Sequence, residues 1–212
     1  MLGRHLHPAH DARSLSWPAE TAPVRTLVHR HEGPVLDQGD LGSCTGNACA
    51  QALNTQPLRP VGRRLLAEVD AVALYSLATC HDPFPGVWPT EDTGSDGLSV
   101  AKAARRFGLI RSYRHAFGLD HMLGALMRAP LIVGTKWTSG MFVPDADGFV
   151  RPTGDVVGGH EWMVYGVDVE GRFVHALNSW GPGWGIGGSF RVRWDDLQEL
   201  LADRGDATQL VP

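Results

Sequence analysis

The chain has 212 residues, 43% of them hydrophobic and 20% charged, with a formal net charge of -4. That composition is globular, and the length suits one large domain or two lobes sharing a cleft. It argues against nucleic acid as the main partner, because no basic run is present to neutralise phosphates. No apolar run approaches the ~20 residues needed to span a bilayer, so no membrane partner is expected.

Residues 1–30 mix Pro, His and Arg without periodicity and read as an N-terminal arm on a body of residues 31–212. The opening MLGRHLHPAHDARSLSWP lacks the apolar core of a secretory signal, so a cytoplasmic location is expected. His5, His7 and His10, and likewise His29 and His31, have no carboxylate or cysteine cluster beside them. No metal site and no cofactor are expected.

From Cys44 to about Asn54 the residues are small and helix-compatible. Residues 63–79 place Leu65, Leu66, Val69, Val72, Ala73 and Leu77 at three- and four-residue intervals, the pattern of an amphipathic helix. A loop rich in Pro, Gly and acids follows. Two short helices are then expected, Leu98–Phe107 ended by Gly108 and Asp120–Arg128 stopped by Pro130. Beyond that the pattern changes. PLIVGTKW, GHEWMVYGVDV, RFVHALNSW and GSFRVRW are β-branched and aromatic runs between turn residues, and Trp194–Leu201 suits a last helix. Helices first and strands afterwards predict an α+β protein, with a helical lobe over about 37–128 and a sheet lobe over about 129–200.

Only three cysteines occur, Cys44, Cys49 and Cys80. An odd, low count argues against a disulfide framework and leaves at least one thiol unpaired. Cys44 follows Gly42-Ser43 at the start of a helical run, six positions after Gln38. His160 sits where a strand begins, and Asn178 where another ends. A thiol nucleophile needs a base, a group that orients the base, and donors for the oxyanion. Cys, His, Asn and Gln can fill those roles. Singly each is weak, since a helical cysteine is usually an inert core residue and a strand histidine usually structural. Together they are far more specific. A helix N-terminus beside an imidazolium is expected to lower the Cys44 thiol pKa. Trp88, Trp137, Trp162 and Trp194 are expected in the core or as cleft walls.

The ordered set QGxxGSC, then GH before an apolar strand, then NSWGxGWGxxG, resembles the papain-like cysteine peptidases. Asn178 lies 134 residues after Cys44 (178 − 44), and His160 lies 116 after it (160 − 44), which suggests trimmed loops in the sheet lobe. The resemblance spans about residues 14–196. It implies a two-lobed fold with a helical lobe, an antiparallel sheet or barrel lobe, and an active-site cleft between them. It further implies Cys44 as nucleophile, His160 as base, Asn178 as its orienting group, and Gln38 with the Cys44 N–H as oxyanion donors. Trp180 would shield the His–Asn bond, and Gly97 and Gly159 would lie along the substrate.

The departures are Thr45 in place of an aromatic residue, Leu41 in place of a disulfide cysteine, Leu98 in place of a second glycine, and Gly159 where papain has an acid. They resemble the bacterial and bacteriophage branch. Only 37 residues precede Gln38, fewer than a long pro-segment. The implied function is a cysteine endopeptidase acting on protein or peptide substrates. Two alternatives are a phage or bacterial peptidase that cleaves peptidoglycan and an idle papain-like domain serving a phage or cell-assembly partner.

Overall fold

The first turn of α1 (Cys44–Leu53) follows Ser43, which makes no side-chain cap, and every residue of the helix is buried. Packing rather than propensity therefore holds it. Its small residues permit close approach: a Cβ on Gly46 would collide with the Ala71 carbonyl of the next helix. The computed structural model describes residues 16–212, so His5, His7 and His10 lie outside the described residues.

The helix expected over 63–79 begins later, and α2 runs Glu68–Thr79. Two contacts stop it from starting earlier. The Asn54 side chain brackets Leu66, accepting its N–H at 2.8 Å and donating to its carbonyl at 2.8 Å. Asp70 reaches back to the Ala67 N–H at 2.8 Å and holds Arg64 in a two-point ion pair. The first satisfies an extended backbone, and the second caps a helix that starts at Glu68. α3 (Gly97–Arg106) is capped by Asp96, whose carboxylate accepts the Ser99 N–H at 2.8 Å. α4 (Gly118–Leu126) lies two residues upstream of the expected span, and α5 (Trp194–Ala202) matches it closely.

The four expected strands form as β3 (Leu131–Thr138), β4 (Val156–Asp168), β5 (Phe173–Leu177) and β6 (Ser189–Arg193). Three more join them: β1 (Leu27–Val28), β2 (Ser112–His115) and β7 (Asp206–Val211). The sheet is antiparallel in the order β2-β7-β3-β4-β5-β6. It does not close, so the lobe is an open sheet and not a barrel. β4 is long enough to pair with β3 through its first half and with β5 through its second, where β1 takes its other side. Within the expected arm, Ala19 donates to the His115 carbonyl and Ala22 to that of Gly124, so the chain runs along the sheet lobe from about Pro18.

Strand alternation gives the sheet two apolar faces. Trp137, Trp162, Val164 and Phe190 pack with α4 and α5. Ile132, Met163, Leu177 and Leu210 pack with α1, α2 and α3. Trp137 and Trp162 are core residues as expected, while Trp88 and Trp194 are partly buried. His29 and His31 serve local structure, bonded to the Leu126 carbonyl at 2.7 Å and to Thr55 Oγ1 at 2.8 Å.

Candidate active site

Cys44 opens α1 at the junction of the two lobes. Its sulfur lies within hydrogen-bonding reach of the N–H groups of Thr45 and of Glu161, the residue after His160 on β4. One backbone contact thus brings the helix start and the histidine strand together. The preceding loop is strapped to the segment after β5. Gln38 N–H donates to the Ser179 carbonyl at 2.9 Å, and Asp37 forms a bridge with Trp180. The Gln38 side chain is fixed at both ends. Its Oε1 accepts from the Ser179 hydroxyl at 2.6 Å, and its Nε2 donates to the Leu41 carbonyl at 2.8 Å. Gln51 on α1 also donates to the Asn178 carbonyl at 3.2 Å.

His160 and Asn178 meet directly, with His160 Nε2 2.7 Å from Asn178 Oδ1. The Ser179 N–H donates to the same oxygen at 2.8 Å, which fixes the amide orientation. An oxygen facing Nε2 requires that nitrogen to carry the proton, so Nδ1 of the neutral ring bears the lone pair. Nδ1 is buried without a hydrogen-bond partner among the described residues. Trp180 stacks on the imidazole with centroids 5.0 Å apart, and Trp137 meets it edge-on at 4.8 Å. Phe142 and Trp184 pack on Trp180 in turn. The His–Asn bond is sealed from water, and His160 is only 3% exposed.

Burial disfavours the charged form of both groups. Desolvation pushes the Cys44 thiol up to about 11, against the smaller lowering effect of the Glu161 N–H. Desolvation likewise brings His160 down to about 4, although its bond to Asn178 favours the charged ring. Burial therefore opposes the lowering expected from the helix N-terminus. Loss of solvation acts against the helix dipole at Cys44 and against the Asn178 bond at His160.

Of the sequence-derived residues, Gln38, Cys44, His160, Asn178 and Trp180 gather in one place. Gly159 lies on β4 opposite Lys136 of β3, next to this group. Gly97 is the first residue of α3, where a Cβ would lie 2.8 Å from Glu161 Oε1. Several contributors were missed in the sequence. Asp92 accepts the Gly42 N–H at 2.9 Å and the Tyr75 hydroxyl at 2.5 Å, and that hydroxyl accepts the Gly94 N–H at 3.0 Å. This carboxylate pins the loop at Leu41-Gly42, where the implied disulfide is lacking. Nothing local in an acid-rich loop marks Asp92 as special. Ser179, inside the NSW block, could have been noticed as a hydroxyl beside Asn178.

This arrangement of helical lobe, antiparallel sheet lobe and junctional cysteine defines a papain-like fold. The chain is similar to xylellain, a cysteine protease from Xylella fastidiosa, with a TM-score of 0.77 at 17% identity over 99% of this chain and 97% of that one. It is similar to digestive procathepsin L 3 of the Tenebrio molitor larval midgut (0.68, 17%, 99% and 76%). A third likeness is to the Carica candamarcensis cysteine protease CMS1MS2 in complex with E-64 (0.59, 17%, 85% and 93%). No protein-family model and no curated protein matches the sequence, so the likeness is one of fold. Among the described residues, no helix is long and apolar enough to cross a membrane.

Proposed function

We propose that the protein is a cysteine endopeptidase that hydrolyses peptide bonds in protein or peptide substrates. One observation carries the reading: an imidazole oriented by Asn178, with its basic Nδ1 buried and unpartnered at the lobe junction where Cys44 opens α1. A buried acceptor left without a donor is costly, and a thiol proton is what it lacks.

In the mechanism, Nδ1 of His160 takes the Cys44 proton as the sulfur attacks the substrate carbonyl. Burial disfavours each charge alone, so the thiolate and the imidazolium form together, as a pair. The carbonyl oxygen becomes an oxyanion, which accepts from the Cys44 N–H and the Gln38 side chain. Each such donor contributes about 2.7–4 kcal/mol at the transition state. With the Gln38 amide anchored through Ser179 and Leu41, little reorganisation is needed. The imidazolium then protonates the leaving amine, the C–N bond breaks, and a thioester remains on Cys44. His160 next deprotonates a water, which displaces the sulfur as thiolate and releases the acid, and the imidazolium then returns its proton to Cys44. Asn178 keeps the ring in one tautomer throughout, and Trp180 keeps water from their bond. Gly97 and Gly159 border the substrate backbone.

The test is labelling with E-64, the ligand of the Carica protease. One adduct on Cys44, abolished in His160→Ala, is expected by peptide mass mapping. An adduct confined to Cys80, or none at all in folded protein, would sink the reading.

A further inference from the structure

Three carboxyl groups converge behind the candidate nucleophile. Glu161 on β4 and Asp206 on β7 stand on either side of Gly134 on β3, in one cross-strand row. Both lean over the glycine, where a Cβ would lie 2.6 Å from Glu161 Oε2 and 2.8 Å from Asp206 Oδ1. α3 closes the row from the helical lobe. A Cβ on Gly97 would lie 2.8 Å from Glu161 Oε1 and 3.3 Å from each Asp206 oxygen, and Asp96 immediately precedes it. Asp96 is engaged as a helix cap, and Asp206 accepts the Gly134 N–H at 3.0 Å. Glu161 is different. The residue is 4% exposed, and its Oε1 has no hydrogen-bond partner among the described residues.

No ion pair among the described residues reaches any of the three, and Lys102 acts only on Asp96, through space. Burial and the two aspartates push the Glu161 carboxyl well above the usual carboxylate range, and burial and Asp96 raise Asp206. Buried carboxylates without a counter-charge are strongly disfavoured, so this row either holds protons or takes a cation. Among the described residues no His, Cys, Asp or Glu group is gathered tightly enough to hold a metal, and the cations that a peptide substrate carries are lysine and arginine side chains. Glycine on both flanks makes room for these carboxyl oxygens, which a side chain at Gly97 or Gly134 would meet. The Glu161 N–H, meanwhile, reaches the Cys44 sulfur, so the row adjoins the reacting bond.

We propose that Glu161, Asp206 and Asp96 form a subsite for a lysine or arginine side chain of the substrate, close to the scissile bond. This rests on the peptidase reading above. The test is hydrolysis of a positional peptide library in which arginine, lysine, citrulline and norleucine alternate at each site near the cut. At one position, the basic residues should be preferred over citrulline by a factor on the order of 100, the scale of truncating a buried charge pair. Glu161→Gln should reduce that preference to near unity. Asp206→Asn, as a second variant, should reduce it by at least about tenfold.

Equal rates for arginine and citrulline, or a preference retained in both folded variants, would overturn the proposal and leave a proton-sharing structural cluster. If no peptide is cut and E-64 leaves Cys44 untouched, the peptidase reading fails by itself. The subsite is then judged on Cys44→Ala protein by calorimetry with acetyl-arginyl and acetyl-citrullyl dipeptide amides. Tighter binding of the arginyl peptide supports the subsite, and indistinguishable binding refutes it.

Discussion

Replacing Asp92 by alanine probes how the Cys44 loop is held without a disulfide. The carboxylate accepts two hydrogen bonds, from the Gly42 N–H at 2.9 Å and from the Tyr75 hydroxyl at 2.5 Å. Hydrogen bonds to a charged group contribute about 1.5–3 kcal/mol each. Because Asp92 is partly exposed, the lower end applies, which gives about 3 kcal/mol for the pair. At this chain length that corresponds to about 6–12 °C in Tm, a large share of the roughly 5–15 kcal/mol of a typical domain. Tyr75→Phe removes one of the two bonds and strips the Gly94 N–H of its acceptor, so about 1–2 kcal/mol is expected. The shared bond makes the double variant less damaging than the sum of the two, by about 1 kcal/mol. Urea unfolding measures all three, and the rate of E-64 labelling reports on the loop itself, which should slow in Asp92→Ala. If Asp92→Ala unfolds within about 0.5 kcal/mol of the parent, or the two substitutions add, the loop is held by something else.

Cys44→Ala should abolish peptide hydrolysis with little change in unfolding midpoint. His160→Ala should lower kcat by about 10²–10⁴-fold, and Asn178→Ala by less, because it acts only through the ring; the reverse order in folded variants would contradict the roles assigned. The pH dependence of stability gives a separate check on the acidic row. A carboxyl raised by burial contributes stability that is present below its unfolded pKa and lost as pH rises toward its folded value, so Asp206→Asn should gain on the parent between about pH 4 and 8. A gap that stays constant over that window would show that the carboxyl is not perturbed. Thiol labelling at pH 8 should find Cys80, which is exposed, before unfolding and Cys49, which is fully buried with its thiol pushed up, only after it. Modification of Cys49 in folded protein would contradict the packing of α1 against α2.

The sequence by itself determined the elements whose signal is local. The apolar runs of β3 to β6, the Gly-Ser-Cys helix start and the NSW block are each legible within about ten residues, as were the four residues proposed to carry the chemistry. Tertiary structure decided what depends on distant partners. β2 and β7 carry no strong apolar alternation. They become strands only because Ser112–His115 and Asp206–Val211 pair with each other and β7 also pairs with β3. The start of α2 depends on Asn54, twelve residues before Leu66. Thiol ionisation depends on both levels, because the helix dipole is a local property, whereas desolvation comes from the whole lobe junction closing over Cys44. The row of Glu161, Gly134 and Asp206 joins residues as far as 72 positions apart, and Asp92 meets Gly42 across 50. Strand register and lobe packing create such neighbours, and neither is written in any single stretch of the chain.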